Sequence, residues 1–317
     1  MGKIGIIIPY FGVLPNYFDI WYLSAIKSKR VDFIFYTDCK ITTAPNIIVH
    51  RCSFESFRNK IQKKFEFKIS LEKPYKICDF RPAYGFIFQE ELAKYQFWGY
   101  CDIDLIFGDI DSYLSDDILS ENTVIGKYGH FSIYLNNEDL RYLFMDSGVY
   151  PEKNYQEVFQ SEDPFYFDEF SGMMLKKYRK GYKTYPLKIA NFLPMLPYFN
   201  NHGDSVYIKW RDGKVYTISE DNHVEEYFYV HYSKRKFNLH KSDMNSEIIV
   251  TPTDIYVGYT NLHIELKDIK FGKFYYYKYM LRRIYGYHHN IRKLIQRIIW
   301  SRDLKKYADR YTDMNNF

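Results

Sequence analysis

This chain is short of cysteine, carries no internal repeat or low-complexity linker, has no glycine-rich phosphate loop, and shows no strong bias of charge. Each absence removes a class of function. The four cysteines, Cys39, Cys52, Cys78 and Cys101, lie in the first third with no CxxC pair and no histidine at zinc-finger spacing, which excludes a zinc finger and a disulfide scaffold and implies free thiols in a reducing compartment. The opening run Ile4–Ile8 meets Pro9 too soon for a signal peptide or a membrane span, and position six is Ile where a myristoylation signal wants Ser or Thr, so the expected location is cytoplasmic. With 44 basic against 39 acidic residues, net +5, the whole is too balanced to imply nucleic-acid binding.

What is present is aromatic and apolar. Aromatics make up 20% of the chain, much of it tyrosine, and the hydrophobic fraction of 46% excludes a disordered protein. At 317 residues the chain can build one large domain with an appendage. Ile4–Ile8 reads as a strand buried on both faces, the stretch 18–26 as a helix, and 31–36 as a second strand closing at Thr37-Asp38, which together make one βαβ unit. A short third strand follows at 47–49, then a basic amphipathic helix over 54–67 and a further helix over 83–95. The expected class is α/β with a mostly parallel central sheet flanked by helices. The expected division is a catalytic domain over 1–240 and a C-terminal extension over 241–317.

The segment Phe97 to Ile110, FWGYCDIDLIFGDI, is the most informative. An apolar strand ends by presenting Asp102 and Asp104, which share a face in extended chain. Two carboxylates so placed repel each other unless a divalent cation neutralises them, so a hard metal bound by oxygen ligands is the expected ligand. The alternative is a solvated strand end. Upstream, Asp79 and Arg81 stand at the entrance of a helix, where they could hold a polyhydroxyl ligand or simply pair with each other. Pro9, Tyr10, Phe11 and Asp38 follow the first two parallel strands, where an open sheet binds a nucleotide.

Strand and loop at the start, Thr-Asp ending the second strand, Asp-x-Arg before a helix, then an apolar strand ending in Asp-x-Asp: that order resembles the GT-A glycosyltransferases. It is most similar to bacterial polysaccharide-biosynthesis members distantly akin to glycosyltransferase families 8 and 32, whose pattern runs D-x-x-R followed by G-G-x-Y-x-D-x-D. Asp79, Arg81, Tyr100, Asp102 and Asp104 match it. The chain departs from it in having one residue between Asp79 and Arg81, and Phe97 and Trp98 where the two glycines stand. The resemblance implies a metal-dependent hexosyltransferase that takes a UDP-linked hexose and passes it to a growing polysaccharide, a capsule for example, or to a lipid-linked acceptor, and the kinship to families 8 and 32 suggests a retaining outcome. No nucleic-acid partner is expected. On this resemblance Asp102 and Asp104 would hold Mn²⁺ or Mg²⁺ against the donor diphosphate.

Further candidates follow in the chain. Residues 126–136 read as a loop followed by a strand, and His130 at the turn is either a structural histidine or a substrate contact. Asp168 and Glu169, in SEDPFYFDEFSGMM, either cap the next helix or face the sugar and acceptor as catalytic carboxylates. His231 ends an apolar strand and is followed by Lys234 and Arg235. The segment resembles the C-terminal histidine and basic stretch that metal-dependent GT-A families place over the diphosphate, which makes His231 the candidate third metal ligand and the two cations candidates for the diphosphate; the alternative is a strand end with a basic surface turn. The stretch 206–218 reads as a hairpin turning at Asp212-Gly213. From Lys267 to Lys306 the chain interleaves Lys and Arg with large aromatics, which suits peripheral attachment to the anionic inner face of a cell membrane. A non-enzymatic nucleic-acid or membrane binder using that tail is the competing reading. It gives no reason for Asp102 and Asp104.

Overall fold

The structure, a computed structural model, describes residues 4–147, 153–169, 172–192, 196–200, 202–232, 235–242, 247–259 and 262–266. The strands in chain order are β1 (Ile4–Tyr10), β2 (Val31–Thr37), β3 (Ile47–Arg51), β4 (Phe97–Cys101), β5 (Leu105–Phe107), β6 (Val124–Tyr128), β7 (Phe131–Leu135), β8 (Thr184–Tyr185) and β9 (Ile189–Asn191). They continue with β10 (Val206–Arg211), β11 (Lys214–Ser219), β12 (Val224–Tyr227), β13 (Tyr229–His231), β14 (Asn238–Lys241), β15 (Ile248–Val250) and β16 (Asp254–Val257).

Seven of these form the central sheet, in the order β3-β2-β1-β4-β7-β6-β8. β1 runs parallel to both β2 and β4, and β2 to β3, whereas β7 is antiparallel to its neighbours β4 and β6. Alternation along the strands feeds two cores. Ile7, Ile34, Trp98 and Tyr100 face one, with Phe57 and Ile61 of the helix Phe54–Gln62. Ile6, Ile8, Phe33, Phe35 and Phe97 face the other, with Trp21 of the helix Phe18–Ala25. Strands buried on both faces explain why β1 is a nearly unbroken branched apolar run. The sequence order of the strands reverses between β1 and β4, so their C-terminal ends open a crevice at the position where open α/β sheets take ligands.

The expected long helix after Arg81 is broken. Residues Pro74–Ala83 form 3₁₀ turns, followed by two single-turn helices, Tyr84–Ile87 and Gln89–Leu92. Pro82 lacks the N–H a helix needs, and Gly85 sits against the Trp98 ring so closely that a Cβ there would come within 2.5 Å of it.

A three-stranded sheet, β5-β13-β9, and a six-stranded sheet, β12-β11-β10-β15-β16-β14, complete the fold. The expected hairpin is β10–β11, turned at Asp212 and Gly213, both with positive φ. The six-stranded sheet straddles residue 240, since β14 pairs in parallel with β16, so the same body continues to Val257. The basic segment 267–306 lies outside the described residues. Among the described residues no helix is long and apolar enough to cross a membrane.

Candidate functional site

The Asp-x-Asp tripeptide is the bend by which the chain leaves the central sheet at Cys101 and enters the small sheet at Leu105. Two backbone bonds fix it: Asp102 N–H donates to His130 O at 3.0 Å, and Tyr232 N–H donates to Asp104 O at 3.1 Å. Trp21 Nε1–H also donates to Asp102 O at 3.1 Å. The two carboxylates are therefore aimed by a bend held from three sides, rather than by strand alternation.

The small sheet brings the third group. β13 pairs antiparallel with β5, putting His231 opposite Leu105, and parallel with β9, putting His231 opposite Asn191. One ligand atom each from Asp102, Asp104 and His231 lies within 4.8 Å of the others. Asn191 Oδ1 accepts from His231 Nδ1–H at 2.9 Å, which leaves Nε2 facing Asp104 Oδ1 at 3.4 Å. Two lone pairs converging in this way repel unless a proton or a cation lies between them. Burial works against charge on His231, but the hydrogen bond and charge of Asp104, with Asp102 behind them, raise its pKa above the ordinary histidine range. Two carboxylates and an imidazole whose second nitrogen is already tied to an amide oxygen fit Mn²⁺ or Mg²⁺.

Arg81 joins this cluster to the acids downstream. Its guanidinium ion-pairs with Asp102 through Nη2, and Nη1 donates to Asp168 Oδ2 at 3.0 Å and to Gly129 O at 2.8 Å. Gly129 is packed so tightly that a Cβ there would lie 2.6 Å from Asp168 Oδ2, and its N–H donates to Glu169 Oε1 at 3.1 Å. Asp168 and Glu169 thus face the cluster. Neither side chain caps the next helix, Met173–Arg179, whose start at Gly172 has no side-chain cap; Glu169 serves it only through its backbone, Glu169 O accepting Met174 N–H at 3.0 Å.

Although Arg81 serves both aspartates, their acidities diverge. Burial would push Asp102 up, but Arg81 and His231 together hold it below the usual carboxylate range. Asp168, 5% exposed, is driven up to about 8 by burial, against the pull of Arg81, with Glu169, Asp79 and Asp102 adding repulsion. Glu169 is raised by burial too, tempered by the Gly129 N–H. One carboxylate ready for a cation beside another that keeps its proton near neutrality is an arrangement typical of functional sites.

His130 stacks on His231 at 4.4 Å and on Tyr128 at 5.1 Å, and its Nδ1 shares a 2.7 Å hydrogen bond with the Tyr229 hydroxyl. Burial and the neighbouring His231 charge keep it neutral, and among the described residues its buried Nε2 has no hydrogen-bond partner. That atom is left for a ligand.

Other expected contacts are spent elsewhere. Asp79 does not pair with Arg81: it is 1% exposed, takes Lys76 Nζ at 2.8 Å, and accepts the N–H groups of Phe165 and Phe167 at 2.9 Å each. It anchors the loop that carries Asp168. The Phe11 ring is committed to the core between Phe54 and Phe57, 5.3 Å from each. Arg235 is buried, donating to Pro252 O and Leu196 O and lying 4.5 Å over Tyr198, so it supports the β14–β16 region. Exposed Asp38 accepts Gly12 N–H at 3.0 Å and ties the loop after β1 to the end of β2, while half-buried Pro9 and Tyr10 stand at the crevice, Tyr10 near enough to Asp104 to feel its charge. Lys234 lies outside the described residues. Asn191, Gly129 and Lys76 carry no signal in the sequence, because their roles come only from register and close approach.

Fold and site together define an α/β protein with a mixed central sheet and a two-aspartate, one-histidine cluster at the C-terminal edge of its parallel strands. The chain belongs to a family of unknown function, DUF6625, whose model matches residues 6–258. No curated protein matches it. The matched stretch contains every residue of the cluster and ends one residue beyond β16.

Proposed function

We propose that this protein is a metal-dependent glycosyltransferase of the GT-A type, transferring a hexose from a UDP-linked donor to a polysaccharide or lipid-linked acceptor. The observation that carries the reading is the convergence of Asp102, Asp104 and His231 at the crevice between β1 and β4. Mn²⁺ or Mg²⁺ held there would neutralise the charge that grows on a departing diphosphate. The chain's own residues do the rest. Asn191 fixes the His231 ring, and Arg81 spans Asp102 and Asp168 so that the cation site and the sugar site keep one geometry. Asp168, which keeps its proton near neutrality, and its neighbour Glu169 are suited to bind sugar hydroxyls, and His130 Nε2 offers one more polar contact. Tyr10, beside the ends of β1 and β2, is the remaining aromatic for the base once Phe11 is assigned to the core.

The test is hydrolysis of a panel of UDP- and GDP-sugars by purified protein with and without Mn²⁺. The expected outcome is Mn²⁺-dependent release of UDP from one or a few donors. Activity that ignores metal, or no binding of any nucleotide with Mn²⁺ by calorimetry, would overturn the reading.

A further inference from the structure

Tyr10, Tyr17, Tyr229 and Tyr232 stand around the cluster, and three of their hydroxyls are committed. Tyr10 donates to Val13 O at 2.8 Å, Tyr232 donates to Leu105 O at 3.2 Å, and Tyr229 shares its 2.7 Å bond with His130. Tyr17 is different. It is 6% exposed, yet among the described residues its hydroxyl has no hydrogen-bond partner, and that oxygen is not sealed from solvent. It stands at the start of the helix Phe18–Ala25 without capping it. A buried tyrosine normally finds a partner for its hydroxyl. The ring gives no reason for one here: it packs edge-on against Tyr232 at 5.2 Å and Phe237 at 5.5 Å, contacts that a phenylalanine would make equally well.

The helix fixes where that hydroxyl stands. One turn beyond Tyr17, Trp21 Nε1–H donates to Asp102 O at 3.1 Å, and further along Ser24 Oγ accepts Phe107 N–H at 3.1 Å. Residues so spaced share a helix face, so this face lies along the segment 102–107 with Tyr17 at its leading end. Tyr232, on which the Tyr17 ring packs, gives its N–H to Asp104 O at 3.1 Å. Tyr17 is therefore one residue contact from Asp104, on the wall of the crevice that opens between β1 and β4. Burial first, and then the charge of Asp104, raise its pKa, so the hydroxyl keeps its proton at neutral pH. A donor held beside two carboxylates and bonded to neither is placed for an anion that a cation brings.

We propose that Tyr17 is a further substrate-binding residue, whose hydroxyl donates to a phosphate oxygen of the nucleotide-sugar donor. A hydroxyl bonds an anionic oxygen more strongly than a neutral one, so the contact tightens as charge grows on the departing diphosphate. The inference rests on the transferase reading of the site.

The experiment is calorimetry on the full-length protein, wild type and Tyr17→Phe, with three titrants: Mn²⁺ alone, then UDP and inorganic pyrophosphate, each with Mn²⁺. Thermal unfolding is recorded alongside. Expected for Tyr17→Phe are an unchanged unfolding midpoint, Mn²⁺ affinity within about twofold of wild type, and binding of both UDP and pyrophosphate weaker by about tenfold or more. A variant that binds UDP and pyrophosphate as tightly as wild type would overturn the proposal and leave the transferase reading standing. Weakening of UDP alone would move the hydroxyl to the nucleoside, and loss of Mn²⁺ affinity or of stability would assign it to the metal shell or to the core; each overturns the phosphate contact. Wild type that takes up Mn²⁺ but neither UDP nor pyrophosphate sinks the transferase reading and this contact together.

Discussion

At the residue scale the cluster depends on groups that touch the cation and groups that aim those that do. Asp104→Asn and His231→Ala are expected to abolish Mn²⁺ binding by calorimetry and to cut metal-dependent turnover by about 100-fold or more, with the far-ultraviolet circular dichroism unchanged. Asn191→Ala removes only the hydrogen bond that orients His231, so Mn²⁺ affinity should fall by about 10–100-fold, the range seen for such supporting groups. Equal affinity in this variant would mean that the histidine is held without the amide. Gly129→Ala places a methyl 2.6 Å from an Asp168 oxygen and 2.9 Å from Glu169 Cγ. It should cost roughly 100-fold in turnover by displacing both carboxylates, while Mn²⁺ affinity, set on the other side of Arg81, stays within a few-fold.

At the scale of elements, the loop Asp163–Glu169 is hung from the 3₁₀ segment Pro74–Ala83. Lys76 and Asp79 form a pair 4% and 1% exposed, Lys76 also donates to Val158 O and Asp163 O, and Asp79 takes two loop N–H groups. Removing one partner leaves a buried charge and two orphaned amides. Asp79→Ala is therefore expected to lower stability by about 3–5 kcal/mol in urea unfolding, a loss large enough to separate an anchor from a sugar contact. A variant with full stability and lost donor binding would return Asp79 to the substrate. The bend at Asp102–Asp104 works likewise: it exists because one strand pairs in the central sheet and the next in the small one, and no local turn signal marks it.

At the scale of the whole molecule, Lys177 gives stability a pH signature. Its folded pKa is depressed to about 7, so between pH 7 and its ordinary value the unfolded chain holds a proton the folded chain lacks. Stability contributed at this site is lowest below pH 7 and recovers as the pH rises, with a slope approaching about 1.4 kcal/mol per pH unit. Lys177→Met should remove that slope and be more stable than wild type at pH 6.5 by thermal denaturation. An unchanged pH profile would show the amine to be solvated. The basic aromatic segment 267–306 carries a separate expectation: full-length protein should sediment with anionic vesicles at low salt and be released as salt is raised.

The sequence by itself determined the parts that short-range pattern controls. β1, β2 and β4 were legible because strands buried on both faces read as apolar runs, the β10–β11 hairpin because Asp212-Gly213 accepts positive φ, and Asp102 and Asp104 because paired acids at the end of an apolar run need a counter-charge. His231 was legible as a candidate ligand through the resemblance of its segment to that of metal-dependent GT-A families. Its place beside Asp104, 127 residues away in sequence, was settled only by the antiparallel register of β13 on β5. Tertiary structure also decided which ionic groups serve the site. Asp79 and Arg81 stand two apart, yet one turned inward to Lys76 and the other to Asp102 and Asp168, because a buried charge goes to whatever partner long-range packing brings within reach. Phe11 and Arg235 were claimed by the interior for the same reason, and nothing local in their sequence distinguishes an aromatic or a cation that lines a crevice from one that fills a core.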